Sequence, residues 1–162
     1  MTKVISKVLE IENCNKDTVL KAIYNPKFWE EISPVDKIEA SFTSPNVLHT
    51  DIVDMIKVVN IAVEMEGELV LIDKGEEEGK GHLIEFNVRN NKDVTDLEGN
   101  IRVKALSSSK SKIGVFIHDF KLSSNFLSLF GGATELILRT KITGILRNIE
   151  KYCKIKDLKN FL

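Results

Sequence analysis

Three histidines are the first side chains here to weigh as chemical groups, and His118 has the most suggestive surroundings. It precedes Asp119 in an alternating apolar run. Neighbours along a strand point to opposite faces, so the two cannot form a dyad. Regular alternation puts His118 on one face with Phe116, Phe120 and Leu122. If that face is concave, His118 is a polar group inside an apolar cavity, within reach of a ligand carboxylate or hydroxyl. The plainer reading is a core histidine satisfied by a neighbour or by water. His49 and His82 fall in other strands with no metal-ligand spacing, so neither a metal nor a cofactor is expected. Glu64, Glu66 and Glu68 resemble a carboxylate cluster, but they alternate with apolar residues and read as a solvated outer face. Gly75 to Gly81 is acidic and lacks the phosphate-loop pattern. Ser123 and Ser107 to Ser109 have no nucleophile motif around them. Cys14 and Cys153 are far apart and make neither a disulfide framework nor a metal motif. No catalytic residue is assigned.

The composition is that of an ordinary globular domain. The 162 residues are 43% hydrophobic and 29% charged, enough for one core and short for two, so residues 1–162 are read as a single domain. A net charge of −1 gives no general attraction to nucleic acid. Lys151, Lys154, Lys156 and Lys159 form a basic tail whose interleaved aromatic, Tyr152, belongs to the helix's apolar stripe, and a solvated helix end explains it better than a nucleic-acid surface. No charge-free window is long enough for a transmembrane span, and Lys3, Lys7 and Glu10 interrupt any leader-like segment. A cytoplasmic protein is expected.

The elements follow from periodicity. Lys3 to Glu12 reads as a strand, then Asn15 caps a short helix over Lys16 to Tyr24. Asn25-Pro26 restarts a second helix, Lys27 to Ile32, and Ser33-Pro34 stops it. From Val35 to Leu122 the period is two. Strands are expected around Ile38 to Phe42, over Val47 to Ile56 and Ile61 to Ile72, around Ile84 to Val88, over Asn100 to Ala105 and over Ile113 to Leu122. Asp73 to Gly81 is expected as an exposed turn, and the boundary near Lys57 to Asn60 is undefined. Gly132 to Lys156 then reads as one long amphipathic helix. Leu138, Ile142, Ile145, Ile149 and Tyr152 form its apolar stripe, widened by Leu146 and Cys153, while Thr140, Thr143 and Arg147 face solvent. The class is α+β: a curved antiparallel sheet of about seven strands gripping a long C-terminal helix, with two short helices after the first strand.

Local residues add a resemblance. The run Ile11-Glu12-Asn13-Cys14-Asn15-Lys16-Asp17-Thr18-Val19-Leu20-Lys21-Ala22-Ile23-Tyr24-Asn25-Pro26-Lys27-Phe28-Trp29, followed by Pro34, resembles the N-terminal signature of the helix-grip superfamily. That superfamily (SRPBCC) includes START domains, birch-pollen-allergen-like (Bet v 1-like) proteins and polyketide cyclase-like proteins. Ile32 departs from it, standing near where many relatives carry a second tryptophan. The resemblance implies an apolar small molecule held between sheet and helix. Some relatives are enzymes, and many only bind or carry.

The expected lining is Ile38, Phe42, Val63, Met65, Leu69, Phe86, Val88, Ile101, Val103, Phe116, His118 and Phe120 from the sheet, with Leu138, Ile142, Ile145 and Ile149 from the helix. Branched aliphatic residues suit an alkyl chain better than a sugar or nucleotide. Phe126, Leu127, Leu129 and Phe130 sit in the connection before the helix. They read as a plug at the core's open end, as a lid hinged at Gly131-Gly132 facing Phe28 and Trp29, or as a homodimer contact. The leading expectation is a carrier or sensor of a fatty acid or other lipid-like molecule. The alternatives are a cyclase- or dehydratase-type enzyme using His118 on a polyketide-like substrate, and a protein-interaction module with a filled core.

Overall fold

The computed structural model describes residues 5–155. Strand β1 (Ile5–Glu12) leads into helices α1 (Lys16–Ala22) and α2 (Pro26–Ile32). Six strands follow: β2 (Lys37–Ser44), β3 (Val47–Ile56), β4 (Ile61–Glu77), β5 (Gly81–Arg89), β6 (Val94–Ala105) and β7 (Lys110–Leu122). Helix α3 (Ser124–Phe130), one 3₁₀ turn (Gly131–Ala133) and helix α4 (Thr134–Ile155) complete the described chain. The end of the predicted helix, at Lys156, and Lys3, Lys159 and Lys156 of the charge pattern lie outside the described residues.

All strand pairs are antiparallel, in the order β1-β7-β6-β5-β4-β3-β2. β2 to β7 form a meander, and β1 adds to its far edge on β7. The two short helices therefore carry the chain from one edge of the curled sheet to the other. Their starts are encoded locally. Asn15 Oδ1 accepts from the Thr18 amide at 3.1 Å, and Asn25 Oδ1 accepts from the Lys27 amide at 3.0 Å with Pro26 in the first turn.

Helix α4 packs across β1 and α2. Ile142, Leu146, Ile149 and Cys153 are its buried positions. They meet Ile5, Ile11, Ile84 and Val103 of the sheet and Val19, Phe28 and Ile32 of the short helices in one core. A second edge of α4 docks by polar contacts and close approach. Lys141 Nζ donates to the Pro34 carbonyl at 2.7 Å, and Asn148 Nδ2 donates to the Ile32 carbonyl at 2.8 Å. Gly144 lies between them. A Cβ there would stand 2.9 Å from the Pro34 ring, so only glycine lets the helix sit this close.

Three departures from the sequence expectation are larger than three residues. β4 runs on to Glu77, because a bulge between Asp73 and Gly75 lets the acidic segment keep pairing with β5. β6 begins at Val94, six residues before the expected start. Ser123 to Gly132 is not a plain connection: the Ser123 hydroxyl caps α3 by accepting from the Phe126 amide at 3.2 Å.

Candidate functional site

Between the sheet and α4 lies a cavity of about 380 Å³. Its sheet wall includes Ile38, Val63, Met65, Leu69, Phe86, Val88, Ile101 and Phe120. Helix α4 contributes Leu138, Ile142, Ile145 and Ile149, and α2 contributes Phe28 and Trp29. Leu48, Ile52, Val115 and Ile117 extend the same apolar surface. The sheet curls with its apolar face inward, and the helix covers one side of that trough without filling it.

Four residues expected in the lining stand elsewhere. Phe42 packs against Tyr24, ring centroids 6.3 Å apart, at the edge of the core. Val103 is wholly buried in the core. Phe116 and His118 lie on the outer face of β7. The reason is a bulge. Glu98 pairs with Asp119 but Gly99 pairs with Ile117, so His118 is the extra residue. Before it the inward positions are Ile113, Val115 and Ile117; after it they are Phe120 and Leu122. Unbroken alternation therefore misplaces Phe116 and His118. His118 is exposed, and the Phe116 ring lies over Gly114 beside Val8.

The cavity wall carries few polar groups, and the sequence reading overlooked them. Asp54, on the inward phase of β3 with Thr50, Ile52 and Ile56, is buried. Its carboxylate binds Lys141 Nζ of α4 and accepts from the Asp36 amide at 3.2 Å. This pair joins sheet to helix at the cavity wall, and each charge answers the other. Thr50 and Asn91 also face the cavity. The period-two phase of β3 marks Thr50 and Asp54 as inward, since Leu48 and Ile56 share their parity.

The connection before α4 is part of this wall. Phe126 and Phe130 meet edge to face at 5.0 Å and pack with Ile56, Val59, Val63, Met65, Leu122 and Ile137. Phe28 and Trp29 belong to the main core instead, with Trp29 Nε1 donating to the Ile23 carbonyl at 2.7 Å. All four aromatics line the cavity, while Leu127 and Leu129 are exposed on the outside of α3. Gly131, at φ 52°, breaks the helix between Phe130 and α4 in a conformation that favours glycine.

Two further clusters lie outside the cavity. Cys14 and Cys153, distant in sequence, are both buried and hydrogen-bonded to one another. That contact, then burial, pushes the Cys14 thiol far above its usual range. Asp96, Glu98 and Asp119 bring carboxylate oxygens within 4.8 Å of one another. Burial, followed by the hydrogen bond and charge of Asp119, holds Asp96 above the usual carboxylate range. Glu68 is held below that range, chiefly by the Asn90 side-chain amide and then by Arg89. Among the described residues, no helix is long and apolar enough to cross a membrane.

No protein-family model matches the chain, and no curated protein matches it in sequence. Solved structures do match in shape. A START superfamily protein from Mycobacterium smegmatis aligns with a TM-score of 0.64 at 13% identity, over 93% of this chain and 97% of that one. An aromatase/cyclase from Streptomyces sp. R1128 aligns with a TM-score of 0.62 at 9% identity, over 99% of this chain and 94% of that one. Norcoclaurine synthase from Thalictrum flavum aligns with a TM-score of 0.64 at 16% identity, over 96% of this chain and 88% of that one. Identities this low carry the architecture and not the activity. A seven-stranded antiparallel sheet curled around a long C-terminal helix, matched in shape by these proteins, gives the chain the helix-grip fold that they share.

Proposed function

We propose that this protein binds an apolar small molecule between its sheet and α4, as a carrier or sensor of a fatty acid or other lipid-like compound. The observation that carries the reading is the cavity of about 380 Å³ with an almost wholly aliphatic and aromatic wall. A filled-core interaction module would need that space closed. The site residues we assign are Ile38, Val63, Met65, Leu69, Phe86, Val88, Ile101 and Phe120 on the sheet, and Leu138, Ile142, Ile145 and Ile149 on the helix. Phe126 and Phe130 are assigned as the movable part of the wall.

A second reading, an enzyme of cyclase or dehydratase type, has one observation behind it. The aromatase/cyclase and the norcoclaurine synthase named above share the fold. Its acid–base group cannot be the exposed His118, so Lys141 and Asp54 become the candidates. Their mutual pairing occupies both charges, which favours binding over turnover.

Ligand binding to the folded state alone stabilises it by about 2.7 kcal/mol at one hundred times Kd. For a domain of this size the melting temperature should rise by roughly 5–10 °C. Delipidated protein should respond to long-chain lipids in a chain-length-dependent way, and not to nucleotides or sugars. Ile145→Trp, which fills space under the helix, should blunt the response. Absence of a shift with any lipid, sterol or aromatic polyketide at saturation would refute the binding reading.

A further inference from the structure

Gly67 is the floor of a small polar patch in the apolar wall. Its partner across β3 and β4 is Thr50. Facing Cβ positions in such a pair stand about 4.5–5.5 Å apart. A Cβ on Gly67 would lie 2.7 Å from Nδ2 and 2.8 Å from Cβ of Asn91, so the asparagine side chain rests on the glycine. The glycine is required there because Asn91 already fills the space.

The orientation of the Asn91 amide is determined by its turn. Its Oδ1 accepts from the backbone amides of Asp93 and Val94, both at 2.9 Å. An amide nitrogen cannot accept those bonds, so oxygen and nitrogen are not interchangeable at this site. Nδ2 is left over Gly67, and among the described residues it has no acceptor. The Thr50 hydroxyl likewise has no partner among them. The patch therefore offers hydrogen-bond donors to the cavity. It offers no uncommitted cation: Arg89 is engaged with Glu68 at 3.2 Å, and Lys141 with Asp54.

A ligand touching this patch meets two conditions. A pure hydrocarbon would cover the donors and leave them unpaired, which is costly. A carboxylate would satisfy them but would lose its water with no opposite charge to replace it, which costs more. Resting on the binding reading above, and narrowing it from fatty acids to its other lipid-like compounds, we propose that the ligand is a neutral carbonyl compound with an apolar chain. Its oxygen accepts from Asn91 Nδ2 and the Thr50 hydroxyl above Gly67.

Trp29, the single tryptophan, lines the cavity and reports occupancy by fluorescence. Methyl undecyl ketone, tridecane and lauric acid are titrated at neutral pH, with melting temperature as a second readout. The ketone should bind about tenfold or more tighter than tridecane, the scale of one or two hydrogen bonds. It should also bind tighter than ionised lauric acid. Asn91→Asp keeps an oxygen for the two turn amides and removes the donor. It should erase the ketone preference over tridecane. Thr50→Val, which leaves the turn intact, should reduce the preference independently. Tridecane binding as well as the ketone, lauric acid binding tightest, or an unchanged preference in both variants would overturn the carbonyl assignment alone. No response to any of the three probes would also overturn the carbonyl assignment, and the binding reading falls with it when every lipid, sterol and aromatic polyketide fails as well.

Discussion

Two carboxylates of this protein are perturbed in opposite directions, and each direction has its own pH signature. Asp96 is held above the usual carboxylate range, first by burial and then by Asp119, with Glu98 adding to the effect and Lys121 offsetting it. The folded protein thus holds that proton more tightly than the unfolded chain does. Its contribution to stability is present below the ordinary carboxylate range and is lost as pH rises through the folded value. Asp96→Asn should therefore raise the melting temperature at pH 7 by roughly 1–2 °C, the scale of a surface change. The gain should vanish below about pH 3, where the carboxyl is protonated in both states. Parallel melting curves across pH would show that charge is not the cause. Glu68 is the reverse case: Asn90 and Arg89 favour its ionised form, and its contribution is lost as pH falls. Side-chain roles were the least legible part of the chain. The apolar lining follows from alternation, but one extra residue at His118 inverts the phase for Phe116 and His118. Asn91 sits in a turn, where no period indicates which way a side chain points. The Asp54–Lys141 and Cys14–Cys153 contacts join residues that only the folded sheet and helix bring together.

At the scale of elements, α4 presents two different edges, and substitutions should separate them. Ile142 is 5% exposed and packs in the core, so Ile142→Ala should cost roughly 2–5 kcal/mol in urea unfolding. Ile145 is only half-buried and borders the cavity, so its truncation should cost less. Thr143→Ala should cost least. Equal losses at the three positions would contradict the observed helix phase. Gly144 would ordinarily gain stability on replacement by alanine in a helix. Here the Pro34 ring stands in the way. The helices and strands themselves were largely legible, because caps such as Asn15 and the Asn25-Pro26 step act within a few residues. Helix α3 was not. Seven residues without a charge show no clear solvent face, and α3 is assembled by its Ser123 cap and by Phe126 and Phe130 reaching distant strands. β4 was underestimated for a related reason: its acidic glycine-containing end has turn composition but is held by pairing with β5.

At the scale of the whole molecule, the cavity is bounded by one strongly anchored helix and one lightly held one. α4 is fixed by the core, by Lys141 and by Asn148, whereas α3 is a single short helix with Leu127 and Leu129 exposed. Hydrogen exchange in α3 should thus be faster than in α4 for the empty protein, and should slow when ligand fills the cavity. Equal protection of α3 in both states would identify it as a fixed plug. The sheet order has a different consequence, in the timing of synthesis. β1 is made first, yet its neighbour is β7, with Ile5 opposite Ile117. At roughly 5–20 residues per second, the ribosome delivers that partner on the order of 5–20 s later. The meander from β2 to β6 can pair as it emerges, each strand beside the one before it. β1 cannot, and Ile5 and Ile11, at most 1% exposed in the folded protein, have no sheet to join until β7 is complete. The seventh strand of the sheet, and the surface on which α4 packs, are therefore complete only after β7 has been made.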